Sequence, residues 1–268
     1  MATGCGMNVN RWWRGLGTAL SFIAFGIGGL FIGLVVAPLL SLCVRDNERR
    51  HYLARCLIQR CFRCFINLMQ GLGVLDYRLD HQERLQRPGL LVLANHPSLI
   101  DVIFLLAHMP HANCIVKGRL ANNPFTRGPV RAAGYITNSE PEAVLEAAGE
   151  SLRKGHSLIL FPEGTRTKPQ RPIKFRRGGA NIALRTGTKI TPVLISCTPT
   201  TLTKGEPWYH IPASRVRMEL RVLDDLPLND DKQQPTGQLA RQLTQRLSDH
   251  FNRELERFHH EQDMRPDT

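Results

Sequence analysis

The sequence predicts an α/β protein with a mixed sheet flanked by helices, preceded by an N-terminal membrane helix. Two observations carry this prediction. After residue 73, short apolar runs alternate with stretches of helical periodicity, as they do in layered α/β domains. Before it, residues 15–44 include no charged side chain, and this run exceeds the ~20 residues that span a bilayer core as a helix. A hydrophobic fraction of 42% and a charged fraction of 22% are those of a folded chain.

The N-terminal region divides into a tail, residues 1–14, and a membrane-anchoring helix, residues 15–44. A secretory signal peptide has a shorter apolar core and a small-residue cleavage site, and residues 37–42 offer no such site. Gly29 and Gly33 have the GxxxG spacing of paired helices. Because Pro38 and the glycines allow a bend, a spanning helix and a re-entrant or tilted one both remain open.

Basic residues flank this run unequally. Arg11 and Arg14 precede it, and a larger cluster follows it. The positive-inside rule therefore predicts that the rest of the chain faces the cytoplasm. We expect the protein in the inner, cytoplasmic membrane. The cluster that follows consists of Arg45, Arg49, Arg50, Arg55, Arg60 and Arg63.

Residues 45–72 predict a second, amphipathic helix, in which arginines alternate with apolar side chains. Such a helix either lies on an acidic membrane surface or packs on the domain that follows, and the pattern leaves both open. Cys61 and Cys64 form a CxxC within it. Since no second cysteine pair or histidine cluster accompanies them, we interpret them as part of a helix face rather than a redox or metal site.

Residues 73–228 form the predicted globular domain, and residues 229–268 a linker with a C-terminal helix from Thr236. A capping box of Ser139 and Glu142 starts a helix that Gly155 ends. Helices are also expected at 99–107 and 180–185. The predicted strands are residues 89–94, 112–116, 134–137, 157–161, 190–196 and, as an edge strand, 215–223.

Reactive side chains follow two of these strands, where α/β folds commonly place their active sites. After 89–94 the sequence reads NHPSLID. His96 is suited to act as a general base near neutral pH, most effectively when a carboxylate orients its ring. If Pro97 opens a helix, Asp101 lies just over one turn further along and folds back towards His96. Taken alone, a helix-capping or core histidine fits this spacing better.

The second segment reads FPEGTR, from Phe161 to Arg166, and places one carboxylate, a glycine and an arginine in a turn after a buried strand. Basic residues follow it, and no acidic residue occurs between Glu163 and Glu206. Positive charge without a counter-charge beside a glycine turn suits a phosphate. The alternative is a solvated basic loop.

Together, NHPSLID and FPEGTR resemble the two main signature blocks of the glycerolipid acyltransferase family, whose best-known members are the 1-acylglycerol-3-phosphate acyltransferases. Further blocks, VKGR, NPF, GYI, FRRGGA and ITPV, extend the resemblance over roughly residues 73–225. It implies a glycerolphosphate acyltransferase-like fold and an HX4D pair in which His96 is the general base and Asp101 orients it. It also implies a substrate-binding set of Glu163, Gly164, Thr165, Arg166, Lys117, Arg119, Arg176 and Arg177.

The resemblance implies transfer of a fatty acyl group from acyl-CoA or acyl carrier protein to the free hydroxyl of lysophosphatidic acid at a membrane, without a cofactor. One block departs from the family pattern, because Glu140 stands where an arginine is common. Either a phosphate anchor is missing, or Lys117 or Arg119 supplies it. An acyltransferase for another lyso-lipid or specialised lipid is therefore an alternative.

The net charge of +12 predicts an anionic partner. A non-enzymatic protein that binds lipid at a membrane surface is a second alternative, although His96, Asp101 and Glu163 count against it. Nucleic-acid binding is disfavoured, because no known motif or pattern of interleaved aromatic residues accompanies the charge. Histidines and carboxylates with metal-ligand spacing are not found, so no metal is expected. The sequence does not predict an oligomeric state.

Overall fold

Seven strands form a single sheet at the centre of the molecule. The computed structural model describes residues 3–138, 140–168, 171–228 and 236–264. In chain order the strands are β1 (Leu75–Asp80), β2 (Leu91–Ala94), β3 (Asn113–Lys117), β4 (Ile136–Asn138), β5 (Leu158–Leu160), β6 (Ile190–Thr198) and β7 (Val216–Val222). Their order across the sheet is β1-β7-β6-β2-β5-β3-β4. Neighbouring strands are parallel except β6 and β7, which are antiparallel, and this confirms the mixed sheet.

Helices cover both faces of this sheet. They are α1 (Thr3–Phe31), α2 (Ala37–Cys43), α3 (Asn47–Gly71), α4 (Asp101–His108), α5 (Gly118–Asn122), α6 (Arg127–Ala132), α7 (Pro141–Arg153), α8 (Gly178–Thr186) and α9 (Thr236–Asp263). Along β2, Val92 and Ala94 face a hydrophobic layer that includes α3 and α4, while Leu91 and Leu93 face one that includes α7, α8 and α9. This alternation is that of a strand buried on both faces.

The edge of the sheet differs from the prediction. Strand β7 is not an edge strand, because it lies between β1 and β6. Strand β1, which the sequence analysis missed, pairs with β7 and occupies the edge instead. Its sequence, LDYRLD, carries three charged side chains among six residues and therefore lacks the apolar run used to recognise strands.

Helix α7 begins at Pro141, two residues after the predicted start at Ser139, so its cap also differs. Ser139 lies outside the described residues, and the N-cap residue is Glu140, whose side chain makes no capping hydrogen bond. Pro141 occupies the first turn, where the missing N–H of proline costs nothing. The predicted linker at residues 229–235 also lies outside the described part of the chain.

The N-terminal helix is longer than the uncharged run. It begins at Thr3, so it includes most of the segment assigned to a tail, since arginines such as Arg11 and Arg14 do not end a helix. A π-helical stretch, Ile32–Val36, joins α1 to α2. The segment Val9–Cys43 is long and apolar enough to cross a membrane, as judged by length and composition, and only 11% of its apolar 18-residue stretch is buried. The division of the chain into domains stays a prediction.

The GxxxG pair packs against the globular domain. A Cβ added to Gly29 would lie 2.0 Å from the carbonyl oxygen of Phe125, and one added to Gly33 would lie 3.0 Å from Cα of Gly128 in α6. Because only glycine allows such close backbone contact, this spacing pairs two helices within one chain. Helix α3 also packs on the domain, through buried residues that include Ile58 and Ile66. Cys61 and Cys64 are free thiols on its exposed side.

Candidate active site

His96 and Asp101 form a hydrogen-bonded pair at the carboxyl end of β2. The distance from Nδ1 of His96 to Oδ2 of Asp101 is 2.9 Å, and the Ser98 amide donates to the same oxygen at 2.8 Å. Asp101 opens α4 and is fully buried. Since its carboxylate accepts from Nδ1, the other ring nitrogen of His96, Nε2, is left as the basic one. The predicted contact therefore forms, although Pro97 lies in the loop before α4 and does not open a helix.

Burial determines the chemistry of this carboxyl group. It raises the pKa of Asp101 above the ordinary value, although the hydrogen bonds from His96 and Ser98 act in the opposite direction. In the described part of the chain, its second oxygen, Oδ1, has no hydrogen-bond partner. Such a carboxylate is a strong acceptor for the one ring that it contacts, because water does not compete.

The imidazole ring of His96 is fixed from a second direction. The ring of Phe161, the residue after β5, stacks on it with centroids 4.2 Å apart and 26° between the planes. The side chain of His96 nevertheless keeps 19% of its surface exposed, so a substrate can reach it. Asp101 sets which nitrogen is basic, and Phe161 sets the plane of the ring.

Glu163 connects the two sequence motifs directly. Its Oε1 accepts a hydrogen bond from the His96 amide at 3.0 Å and another from the Thr167 hydroxyl at 2.6 Å. Thr167 also accepts from the His96 amide through Oγ1, at 3.0 Å, and donates its own amide to the His96 carbonyl at 2.7 Å. Burial raises the pKa of Glu163. In the structure Oε1 of Glu163 is bonded to the loop that contains His96 and to Thr167, and the assignment of Glu163 to the substrate stays a prediction.

The rest of the FPEGTR turn holds two further segments. Gly164 has φ = +66°, and a Cβ there would meet Nε of Arg176 at 2.9 Å, so both its backbone conformation and its neighbour require glycine. Arg166 donates through Nη1 to the carbonyl oxygens of Leu202 and Thr203, at 2.6 and 2.9 Å. Thr165, which lies between Gly164 and Arg166 in the sequence, is half-buried. Arg166 thereby fixes the loop that follows β6 while its charge stays near the site.

Several cations converge beside this turn. Partial burial lowers the pKa of Lys117, and the charges of Arg119, Lys204, Arg166 and Arg176 lower it further. Among the described residues, none of these five cations has a carboxylate within ion-pair distance. We call them the basic cluster. They offer an anion several donors at once.

The structure adds one cation to the predicted set. Lys204 was not predicted, although it lies in the stretch between Glu163 and Glu206 that lacks acidic residues, and that stretch could have indicated it. Arg177 is exposed at the N-cap of α8, and its assignment to the substrate stays a prediction. Four of the five predicted cations, Lys117, Arg119, Arg166 and Arg176, come together.

An apolar cavity of about 510 Å³ opens beside the His96 loop. Leu99 and Ile100, which belong to the NHPSLID motif, form part of its wall. Helices α1, α3 and α4 and the loop that contains Leu202 supply most of the rest. Its volume is within the range of about 300–1,000 Å³ that is usual for small-molecule sites. In the described part of the chain, no cluster of side chains suits a metal ion.

Known proteins share both the sequence and the fold. The Acyltransferase family profile matches residues 77–196. The 1-acyl-sn-glycerol-3-phosphate acyltransferase of Saccharomyces cerevisiae is 26% identical over 229 residues, 82% of this chain and 71% of that protein. The Helicobacter pylori enzyme of the same name is 30% identical over 175 residues, 62% of this chain and 71% of that protein.

A solved structure has the same fold. The crystal structure of the 1-acyl-sn-glycerophosphate acyltransferase of Thermotoga maritima matches with a TM-score of 0.65 and 21% identity, over 95% of this chain and 100% of that one. At this identity the likeness shows the fold alone. The profile match and the Helicobacter relative are the evidence for the family, and from them it follows that this chain belongs to the acyltransferase family and is an O-acyltransferase.

Proposed function

We propose that this enzyme transfers a fatty acyl group from an acyl-CoA or acyl carrier protein thioester to the free hydroxyl of lysophosphatidic acid, giving phosphatidic acid for phospholipid synthesis. One observation carries the proposal: the His96–Asp101 pair lies next to both the basic cluster and an apolar cavity. This combination suits a substrate with a phosphate, a hydroxyl and a fatty chain. The names of the relatives in yeast and Helicobacter support the same acceptor.

The chemistry follows from the tautomer that Asp101 imposes. Nε2 of His96 removes the proton from the acceptor hydroxyl while the oxygen attacks the thioester carbonyl. The tetrahedral oxyanion collapses, the carbon–sulfur bond breaks, and the thiolate leaves with the proton held by His96 or with one from water. Asp101 stabilises the imidazolium that forms in between. The acyl group passes directly to the acceptor, so an acyl-enzyme is not required.

The basic cluster is the proposed site for the phosphate. Lys117, Arg119 and Arg176 are exposed, so their charges are available to a substrate. Nη1 of Arg166 donates to the carbonyl oxygens of Leu202 and Thr203, and the charge of Arg166 adds to the positive potential of the cluster. These residues compensate for Glu140, which is exposed at the N-cap of α7, where the family commonly carries an arginine. A carboxylate at that position repels phosphate only if it reaches the substrate.

The apolar cavity is the proposed site for the acyl chain. Its wall includes side chains of α1, such as Phe22 and Phe25, together with Ile58 and Phe62 of α3. Removing an alkyl chain from water into such a cavity contributes about 0.8 kcal/mol per buried CH₂. The exposed apolar side of α1 supports attachment to a membrane, and the arginines after α2 support a cytoplasmic orientation of the domain.

The alternative that a specific observation favours is another lyso-lipid acceptor. Glu140 changes the charge at one position of the family pattern, and an acceptor with a cationic or uncharged group would tolerate a carboxylate better than a phosphate would. The catalytic pair and the cavity would serve such an acceptor equally well.

The decisive experiment measures acyl transfer by membranes that carry wild type, His96→Ala or the control His260→Ala, which changes an exposed histidine of α9. Labelled lysophosphatidic acid is supplied with acyl-CoA or with acyl carrier protein thioesters in separate reactions. We expect labelled phosphatidic acid from wild type and the control only, and the two donors identify the natural thioester.

Two outcomes would contradict the proposal. Product from a lyso-lipid other than lysophosphatidic acid, and none from lysophosphatidic acid itself, would support the alternative acceptor. Binding of acidic lipid without any turnover, unaffected by His96→Ala, would support the non-enzymatic function. In both cases the amount of folded protein in the membrane must equal that of wild type.

A further inference from the structure

Arg14 is a buried cation in the wall of the apolar cavity. Only 7% of its surface is exposed, although it lies on α1, most of which faces outwards. Nη1 donates to Oδ1 of Asn10 at 3.2 Å, and Nη2 donates to the carbonyl oxygens of Pro212 and Ala213, at 3.2 and 2.7 Å. The remaining nitrogen, Nε, is buried and has no acceptor among the described residues. The N–H at Nε is therefore a buried donor without an acceptor.

The charge of Arg14 is also uncompensated. Its three hydrogen-bond partners are neutral oxygens, and no carboxylate of the described residues forms an ion pair with it. Burying a cation is costly unless a counter-ion accompanies it. An unsatisfied donor and a missing counter-charge at the same side chain both indicate a site for an anion.

The surroundings of Arg14 show what kind of anion fits. Thr18 and Ser21 follow at helical spacing on the same face of α1 and also line the cavity, as do His210 and Ser214 from the facing loop. After Ser21, the lining residues along α1 and into the π-helical stretch are apolar or glycine as far as Ile32. At 1.5 Å per residue, the stretch from Arg14 to Ile32 is about 27 Å long. The cavity thus has one polar end and one long apolar part.

We propose that Arg14 binds the anionic head of a single-chain amphiphile whose alkyl chain lies in the cavity. The head is a carboxylate or phosphate oxygen, as in a fatty acid or a lysolipid. This site is separate from the basic cluster, because Arg14 lines the cavity and no cation of the basic cluster does. Binding there does not depend on which acceptor the enzyme acylates. Where the proposed function holds, such a ligand competes with the acyl chain for the cavity.

A purely mechanical function of Arg14 makes a different prediction. By holding the carbonyls of Pro212 and Ala213, Arg14 attaches the loop to α1, and loss of that contact would weaken the binding of every chain in the cavity equally. Loss of a counter-charge weakens only the binding of anionic ligands. The ratio between an anionic ligand and a neutral one of the same length therefore separates the two functions.

The test uses full-length protein with His96→Ala, so that turnover plays no part, in vesicles of phosphatidylcholine without net charge. Three diazirine-bearing probes of equal chain length are compared: a fatty acid, the corresponding lysophosphatidic acid and the fatty alcohol. After photolysis, labelled peptides are located and quantified by mass spectrometry. The variants are Arg14→Met, Arg14→Lys and the control Arg11→Met, which removes an exposed arginine less than one turn earlier on α1.

We expect all probes to label cavity residues of α1 and α3, and at least one anionic probe to exceed the alcohol. Arg14→Met should lower this ratio about tenfold, as loss of a charge-assisted hydrogen bond predicts. Arg14→Lys should retain much of the ratio, and Arg11→Met all of it. The preferred anionic probe then identifies the head as a carboxylate or a phosphate.

Two results would overturn the proposal. The first is an equal loss of all three probes in Arg14→Met with an unchanged ratio, which would show that Arg14 only holds the loop. The second is an anion preference that survives Arg14→Met but disappears in Arg119→Gln/Arg176→Gln, which would assign it to the basic cluster. Failure of acyl transfer in wild type would not change the interpretation of this test, because the probes report binding alone.

Discussion

The backbone amide of His96 donates a hydrogen bond to the side-chain carboxylate of Glu163 at 3.0 Å. This bond joins the loop after β2 to the loop after β5, two neighbouring parallel strands whose carboxyl ends meet at one edge of the sheet. Glu163 therefore contacts the backbone of His96, while Asp101 contacts its ring. The two motifs form a single structural unit, and Thr167 completes it.

Thr167 is predicted to be a positioning residue. Thr167→Val keeps the shape of the side chain but removes the hydroxyl that bonds both His96 and Glu163. An unsatisfied buried partner costs about 1–3 kcal/mol. Because His96 would then be held less accurately, we expect kcat to fall about tenfold or more with little change in KM for either substrate.

Thr167→Ser is the matched control, because it keeps the hydroxyl, and it should retain most of the activity. Steady-state kinetics and thermal unfolding are measured on both variants. If Thr167→Val lowers the melting temperature but leaves kcat unchanged, the hydroxyl stabilises the loop without positioning the base.

Asp101→Asn tests the orientation of the base. An amide can still contact Nδ1 of His96, but it neither fixes the same tautomer reliably nor stabilises the imidazolium. We expect kcat to fall by about 10² to 10⁴. Asp76→Asn removes an exposed carboxylate on β1 and serves as the control. Circular dichroism confirms folding, and near-normal turnover by Asp101→Asn would rule out the assigned role.

The basic cluster predicts a specific loss of acceptor affinity. Arg176→Gln should raise KM for lysophosphatidic acid about five- to tenfold with a smaller change in kcat, since one charge–phosphate contact is lost. The effect should shrink at high salt, because Arg176 is exposed. Lys189→Gln removes an equal charge just before β6. This position lies at the amino end of the strand, away from the carboxyl end of the parallel strand β2, and the substitution should leave KM unchanged. Equal effects of the two substitutions would indicate a general surface charge rather than a phosphate site.

The contact between α1 and the domain predicts unequal effects of two adjacent glycines. Gly29→Ala places Cβ 2.0 Å from the Phe125 carbonyl oxygen, so the helix must shift, and overpacking of this kind costs about 1–3 kcal/mol. Gly28→Ala meets no atom within 4 Å and should stabilise the helix by up to about 1 kcal/mol. Melting temperatures in detergent measure both. A fall for Gly28→Ala as large as that for Gly29→Ala would show that α1 does not pack in this way.

Buried histidines predict lower stability at acid pH. Burial lowers the pKa of His108 below the usual value of about 6.5, and its Nδ1 donates to the Phe104 carbonyl at 2.8 Å. As the pH falls through 6.5, the unfolded chain takes up a proton before the folded one does. The free energy of unfolding therefore decreases as the pH falls from about 6.5 towards the lower pKa of His108 in the folded state.

We expect the melting temperature to be lower at pH 5.5 than at pH 7.5, and His108→Gln to reduce this difference. The difference should not vanish, because burial also lowers the pKa of His51, His111 and His156. His260→Gln, at an exposed position, is the control. An unchanged difference in His108→Gln would show that His108 does not titrate in this range.

Local patterns in the sequence were enough to predict much of the fold. The uncharged run, the central strands and the helices follow from periodicity within single segments, where neighbouring residues share one environment. The same holds for His96 and Asp101, since a single turn connects them. Strand β1 is one exception, because its charged residues conceal an edge strand that only pairing with β7 reveals. The short helices α5 and α6 were not predicted either.

The sequence by itself determined the N-terminal apolar helix, the α/β class, the His96–Asp101 pair and the excess of positive charge after Phe161. Only the tertiary structure decided that Glu163 bonds the His96 loop, that Lys204 joins Lys117, that Gly29 packs on Phe125 and that Arg14 is buried in the cavity. The physical reason is the same in each case. These properties depend on contacts between residues far apart in the chain, and no local periodicity or spacing encodes which distant segments meet.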